Sequence, residues 1–294
     1  MNWKEKDSLT RILLDDLKNS ANLSRRKIIN GIIDLCGYRP AGWMAELLAK
    51  IDEQLNETSL HETAERAINS LSDGLIINNP DAIPNSGPLL VTANHPGFTD
   101  ILAILACLKR DDVKIVAQQK GFMAILRNIN RHMLTIHADS VFKLEAIREI
   151  IQALNKGMVV VIFPKGLLEP DPAIIPGAIE SLEGWSDSIG IFLSKAPETR
   201  LLPILVSGVL TEKAWKSRYA KLGWNQKRRQ QFAMVAQFIA QRFSKNLHWK
   251  RPLRIDIGQP KRAEELDPAL DPNKLTLAVK QEMLKLIRAG SLKL

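Results

Sequence analysis

Pro88-Leu-Leu-Val-Thr-Ala-Asn-His-Pro-Gly-Phe-Thr-Asp-Ile-Leu-Ala-Ile-Leu-Ala-Cys-Leu108 sets the rhythm of the fold. Pro88–Ala93 is a short apolar run bounded by turn formers, the pattern of a buried strand. Asn94–Gly97 supplies a turn, Thr99 is suited to cap a helix, and Asp100–Leu108 has helical apolar spacing. The same alternation continues downstream. Val113–Ala117 predicts a strand, Phe122–Ile129 a helix, Met133–His137 a strand and Val141–Asn155 a helix. Met158–Phe163, with three consecutive valines, predicts the next strand, and Leu201–Val206 and Leu253–Ile257 two more. Short apolar strands alternating with helices imply βαβ crossovers. The expected class is α/β, a mostly parallel central sheet flanked by helices.

Upstream the pattern is different. Leu9–Leu17, Arg26–Leu35 and Gly42–Leu55 read as helices, with a break expected at Arg39-Pro40. Leu60–Leu71 is another, and Ser59-Leu60-His61-Glu62 offers a capping box at its start. Asn78–Pro88 is dense in turn formers. The expected organisation is an N-terminal helical extension over 1–75, followed by an α/β domain over 76–294.

A hydrophobic fraction of 45% with 25% charged residues excludes wholesale disorder. The apolar runs Ile101–Leu108 and Met158–Pro164 are too short to span a bilayer. Met1–Asp7 mixes lysines with acids and no apolar run follows, unlike a secretory signal. Cys36 and Cys107 make neither a disulfide framework nor a metal spacing, and read as buried thiols in a reducing compartment. The expected place is the cytoplasm, either free or peripheral at the inner face of a membrane. The net charge of +9 fits nucleic acid, an anionic membrane surface or a phosphorylated small molecule. Aromatic residues are only 5% and form no stacking cluster, so no nucleic-acid partner is expected.

The turn after the first strand holds the chemistry. His95 and Asp100 stand five residues apart where ligand crevices form in parallel sheets. A carboxylate folded back onto the imidazole would hold one nitrogen as donor and leave the other as a base. A histidine and an aspartate at this spacing also arise by chance, and a histidine that merely caps the turn is the blander reading. Val161-Ile-Phe-Pro-Lys-Gly166 then follows at another strand end, and Leu202-Pro-Ile-Leu205 opens a strand beyond it.

These blocks, in this order, resemble the lysophospholipid and glycerol-phosphate acyltransferase family over roughly Leu75–Ile257. That family carries a His-x4-Asp block, an arginine block for phosphate, Phe-Pro-Glu-Gly, and a strand with an internal proline. The resemblance implies an O-acyltransferase of phospholipid synthesis, with His95 as general base and Asp100 orienting it. The donor would be an acyl thioester, acyl-CoA or acyl-carrier protein, as co-substrate. The acceptor would be a lipid or glycerol-type hydroxyl. No other cofactor and no metal is implied. Phe163, Pro164, Lys165 and Gly166 would line the acceptor site.

Two positions depart from the family. Lys165 stands where the family has glutamate, and Thr135-Ile-His-Ala-Asp139 aligns with the arginine block but has no arginine. Lys165, Lys120 or Arg131 would then hold an acceptor phosphate from another side. For Lys120 and Arg131 the plainer reading is a solvated loop charge; for Lys165 it is an ion pair with Glu169 or Asp171. The departures also motivate an alternative, a catalytically impaired relative that binds acyl chains or CoA without transfer. His132 and His137 are not expected to share a metal, since a spacing of five on a strand points them to opposite faces. Lys227–Lys245 reads as a basic amphipathic helix, able to lie in a lipid interface or to pack on its own domain.

Overall fold

The computed structural model describes residues 3–20, 27–136, 140–243 and 249–291. It begins with helices α1 (Trp3–Ser20), α2 (Lys27–Gln54) and α3 (Leu60–Leu71). The start of α3 follows its sequence: Ser59 Oγ accepts the Glu62 backbone N–H at 3.3 Å. The break expected at Arg39-Pro40 does not occur, because α2 runs through it. A helical proline removes one backbone hydrogen bond, at a cost of about 3 kcal/mol. Packing carries the helix across: Ala45, just beyond the proline, is buried with Leu9 of α1 and Leu126 in one small core.

The sheet and its helices follow in alternation. They are β1 (Leu75–Asn78), β2 (Leu89–Ala93), α4 (Thr99–Leu108), β3 (Val113–Gln118), α5 (Arg127–Arg131), β4 (Met133–Ile136), α6 (Ser140–Asn155) and β5 (Val159–Ile162). Next come α7 (Ala178–Ser181), α8 (Ser188–Lys195), β6 (Arg200–Ser207), α9 (Glu212–Lys216) and α10 (Gln226–Phe243). The chain closes with β7 (Leu253–Ile257), β8 (Lys261–Arg262), α11 (Ala263–Leu266) and α12 (Pro272–Ser291). The strand order is β1-β7-β6-β2-β5-β3-β4, with β8 also on β6. Strands β6, β2, β5, β3 and β4 are mutually parallel, while β7 and β8 pair antiparallel with β6. Thr92 of β2 lies between Ile162 of β5 and Pro203 of β6. The chain leaving β2, β5 and β6 therefore emerges at one edge of the sheet.

Side chains alternate between two cores. Leu89 and Val91 face α4 together with Ile51, Leu60, Ala64 and Ile68, so α3 and the end of α2 share a core with the strands. Leu90, Val160 and Leu201 face α6, α8 and α12. Pro203 sits in the middle of β6, a position that normally needs an N–H donor. Its carbonyl accepts the Gly258 N–H on the β7 side, and its missing N–H falls between the residues paired with β8 (Arg200, Leu201) and those paired with β7 (Ile204–Ser207).

Two local expectations are corrected. Leu75–Asn78, for which no strand was expected, is an edge strand parallel to β7; four residues are too few to show alternation. Phe122–Ile129 is not one helix but a 3-10 turn over Gly121–Ala124 followed by α5. The second piece is started by a distant partner, since Asp52 Oδ1 accepts the Ile129 N–H at 2.8 Å. His137, expected to end β4, lies outside the described residues, as do Ala138 and Asp139. Among the described residues, no helix is long and apolar enough to cross a membrane. Cys107 is buried, which pushes its thiol up to about 12; the side chain of Cys36 lies outside the described ones.

Helices α8 and α12 touch at Gly190, where an added Cβ would stand 1.8 Å from Pro272 O and 2.6 Å from Thr276 Oγ1. Gly190→Ala must force the two helices apart. It should cost about 2–3 kcal/mol, read as a lower urea midpoint with an unchanged slope.

Candidate active site

The turn after β2 is fixed before its histidine is reached. Asn94 bridges to β6 in both directions: its Nδ2 donates to Val206 O at 2.9 Å, and its Oδ1 accepts the Val206 N–H at 2.8 Å. Gly97 passes so close to the chain after β6 that an added Cβ would meet Val209 Cγ1 at 2.7 Å. Asp100 then folds back under the turn with a side chain that is 0% exposed. Its Oδ2 accepts the Gly97 N–H at 3.0 Å and bonds His95 Nδ1 at 2.8 Å; its Oδ1 accepts the Ile101 N–H at 2.6 Å. Thr99 does not cap α4 as expected. Phe98 occupies the cap position, and Thr99 Oγ1 is buried without a partner, because Asp100 has taken the nearby donors.

The imidazole lies over Phe163, with ring centroids 4.5 Å apart and planes at 31°. Its side chain is 32% exposed, and among the described residues no group bonds Nε2. Burial works hardest against its charged form. The charge and hydrogen bond of Asp100 and the charge of Glu169 together outweigh that, so its pKa is raised above 6.5. An acceptor on Nδ1 selects the tautomer with the proton there and a lone pair on Nε2.

The second block stands beside the first. Phe163–Gly166 is a tight turn in which the Gly166 N–H donates to Phe163 O at 2.9 Å and Gly166 takes φ of 63°. Pro164 is buried and its carbonyl accepts the Ser186 N–H. Lys165 forms no direct ion pair with Glu169 or Asp171. Its Nζ donates to Ser181 Oγ at 2.9 Å, and that hydroxyl donates to Glu169 Oε1 at 2.7 Å. Glu169 is the residue that joins the blocks. Its Oε2 accepts the His95 N–H at 3.0 Å, its own N–H donates to His95 O at 2.8 Å, and Trp185 Nε1 donates to its Oε1 at 2.9 Å. Burial raises its pKa, against the lowering effects of Ser181, Trp185, the His95 N–H and the Lys165 charge. Gln230 of α10 closes the arrangement by donating to both Pro96 O and Glu169 O.

Residues 74–179 match the family model described as Acyltransferase. This segment is an acyltransferase domain. It contains His95, Asp100, the Phe163–Gly166 turn and Glu169. Among curated protein sequences no relative matches the chain. Among solved structures, the 1-acyl-sn-glycerophosphate (LPA) acyltransferase PlsC from Thermotoga maritima is similar at 17% identity and a TM-score of 0.48, over 82% of this chain and 79% of that one.

Not every residue predicted for the site is brought to this cluster. Lys120 follows β3 and lies 3.8 Å from Asp16 of α1. Arg131 ends α5 just before β4, which is parallel to β3, so it stands at the amino edge of the sheet, opposite His95. The arginine-less block Thr135–Asp139 ends outside the described residues. Sequence reading assigned no site role to Glu169, Ser181, Trp185 or Gln230. They come from separate segments with no shared periodicity, and only folding makes them neighbours. A groove lined by Phe98, Thr99, Val209, Met234, Phe238 and Arg251 lies behind the turn and does not include His95.

Glu169→Ala leaves the donors of Ser181, Trp185 and His95 without their acceptor in a buried place. The expected loss is about 2–3 kcal/mol in chemical denaturation, with Glu169→Gln, which keeps an acceptor oxygen, losing less.

Proposed function

We propose that this acyltransferase moves a fatty acyl group from an acyl thioester, of CoA or a carrier protein, to a hydroxyl of a lipid or glycerol-type acceptor. One observation carries the reading: His95 Nδ1 is held at 2.8 Å by a buried carboxylate while its Nε2, on a partly exposed ring, has no partner among the described residues. Nε2 takes the proton of the acceptor hydroxyl as its oxygen attacks the thioester carbonyl. The tetrahedral intermediate collapses with cleavage of the C–S bond. The thiolate leaves without help, and the proton on Nε2 passes to it or to solvent. Asp100 holds the tautomer and stabilises the imidazolium. Phe163 fixes the ring from one face.

The acceptor in this reading is anionic. Lys165 is on the turn whose first residue stacks on His95, and its ammonium is engaged by a hydroxyl rather than neutralised by a direct ion pair. As a point charge, a lysine tolerates several acidic head groups better than a bidentate arginine would.

His95→Ala should lower thiol release by about three orders of magnitude while the protein stays folded, at a stability cost of about 1–2 kcal/mol for the donor that Asp100 loses, and Asp100→Asn should lower thiol release less. Thiol release at the wild-type rate from His95→Ala would overturn the mechanism. On a panel of anionic and neutral alcohols, Lys165→Glu should raise KM for the anionic acceptor by about tenfold or more, with the donor KM little changed and Lys165→Arg retaining activity. A preferred neutral acceptor, indifferent to Lys165→Glu, would overturn the choice of acceptor.

A further inference from the structure

The chain between β6 and α10 leaves the sheet at the same edge as His95, and it presents exposed apolar and basic groups together. Tyr219, Leu222 and Trp224 are 51%, 67% and 64% exposed. Around them Lys213, Lys216, Arg218, Lys221 and Lys227 are exposed, and the only carboxylate over 212–229, Glu212, is paired with Lys216 at 2.6 Å. The fold holds this segment firmly. Thr211 caps α9, Ala214 and Ala220 are buried, and the Arg229 guanidinium lies 3.9 Å from the Trp215 ring. The exposed apolar groups therefore stand on a rigid base.

We propose that this segment docks the acyltransferase on an anionic bilayer surface. Tyrosine and tryptophan are suited to the headgroup level, where one end is apolar and the other wet. Leu222 is placed between them to reach below it. Two cations lie over these rings, Arg218 at 4.9 Å from Tyr219 and Arg228 at 5.3 Å from Trp224, so charge and apolar surface meet a membrane together. A second copy of the chain is disfavoured as occupant, since the two patches would bring like charges together. Position supports the proposal. Gln226, at the start of α10, donates to Pro176 O, and Gln230, one turn on, donates to Pro96 O beside His95. The docked face is thus continuous with the catalytic turn.

The helix marked by sequence is the support rather than the contact. Gln230 and Ala233 are buried, Gln237 and Gln241 bond main-chain groups, and Phe232, Val235 and Ile239 are half-buried; positions 244–245 lie outside the described residues.

The test needs no acyl transfer, so its failure and the failure of the proposed reaction are separable. The full chain is co-sedimented with vesicles of phosphatidylcholine alone and of two parts phosphatidylcholine to one part phosphatidylglycerol. Binding to the anionic vesicles should be roughly tenfold stronger or more at low salt and should weaken as salt rises. Leu222→Ser/Trp224→Ser and, separately, Lys221→Glu/Lys227→Glu should each lower it by roughly tenfold, with circular dichroism unchanged. Equal binding to both vesicle types, variants that bind like the wild type, or binding only to RNA or an acidic peptide would each overturn the proposal.

Discussion

Asp100 is a carboxylate shut away from water, and a buried carboxylate must find donors. It finds three: the Gly97 and Ile101 N–H groups and His95 Nδ1. Those bonds fix the turn between β2 and α4, and with it the direction of the imidazole. The sheet supplies the rest of the constraint. Because β2, β5 and β6 are parallel and in register at Thr92, Ile162 and Pro203, three loops leave the same edge and have to share a small volume.

Two further buried carboxylates make that sharing possible. Glu169 ties the loop after β5 to the backbone of His95 in both directions. Asp171 accepts the N–H groups of Ala173, Gly208 and Leu210, and so ties the same loop to the chain leaving β6; burial raises its pKa. A loop side chain without such acceptors would leave main-chain donors unpaired in the interior, at about 1–3 kcal/mol each. The rigid turn, the stacked Phe163 and the tethered Lys165 follow from this network.

Much of this was legible in the sequence, for a physical reason. Buried parallel strands are written as uninterrupted apolar runs, so Pro88–Ala93 and Met158–Phe163 could be read directly as strands, and turn formers marked the place of His95. Asp100 was legible because its partner is local. What escaped depends on distant contacts. The continuity of α2 through Pro40 rests on packing with α1, the division of Phe122–Ile129 on Asp52, and the role of Glu169 on Ser181, Trp185 and Gln230. Arg131 shows the converse: a cation that is near a motif in sequence stands at the opposite edge of the sheet once β4 is in place. Thr99 fitted the cap by type, yet Asp100 competed for the same donors and took them.

The central claim is that Asp100 holds His95 as a base and raises its pKa. The most direct measurement is kcat/KM against pH for the wild type and for Asp100→Asn. A base must be neutral to act, so activity should fall as pH drops through the pKa of His95, which stands above 6.5 in the folded protein. Removing the Asp100 charge removes part of what raises it, so the acid limb of Asp100→Asn should move to lower pH. An acid limb that stays in place in Asp100→Asn, or one that moves to higher pH, would contradict the account.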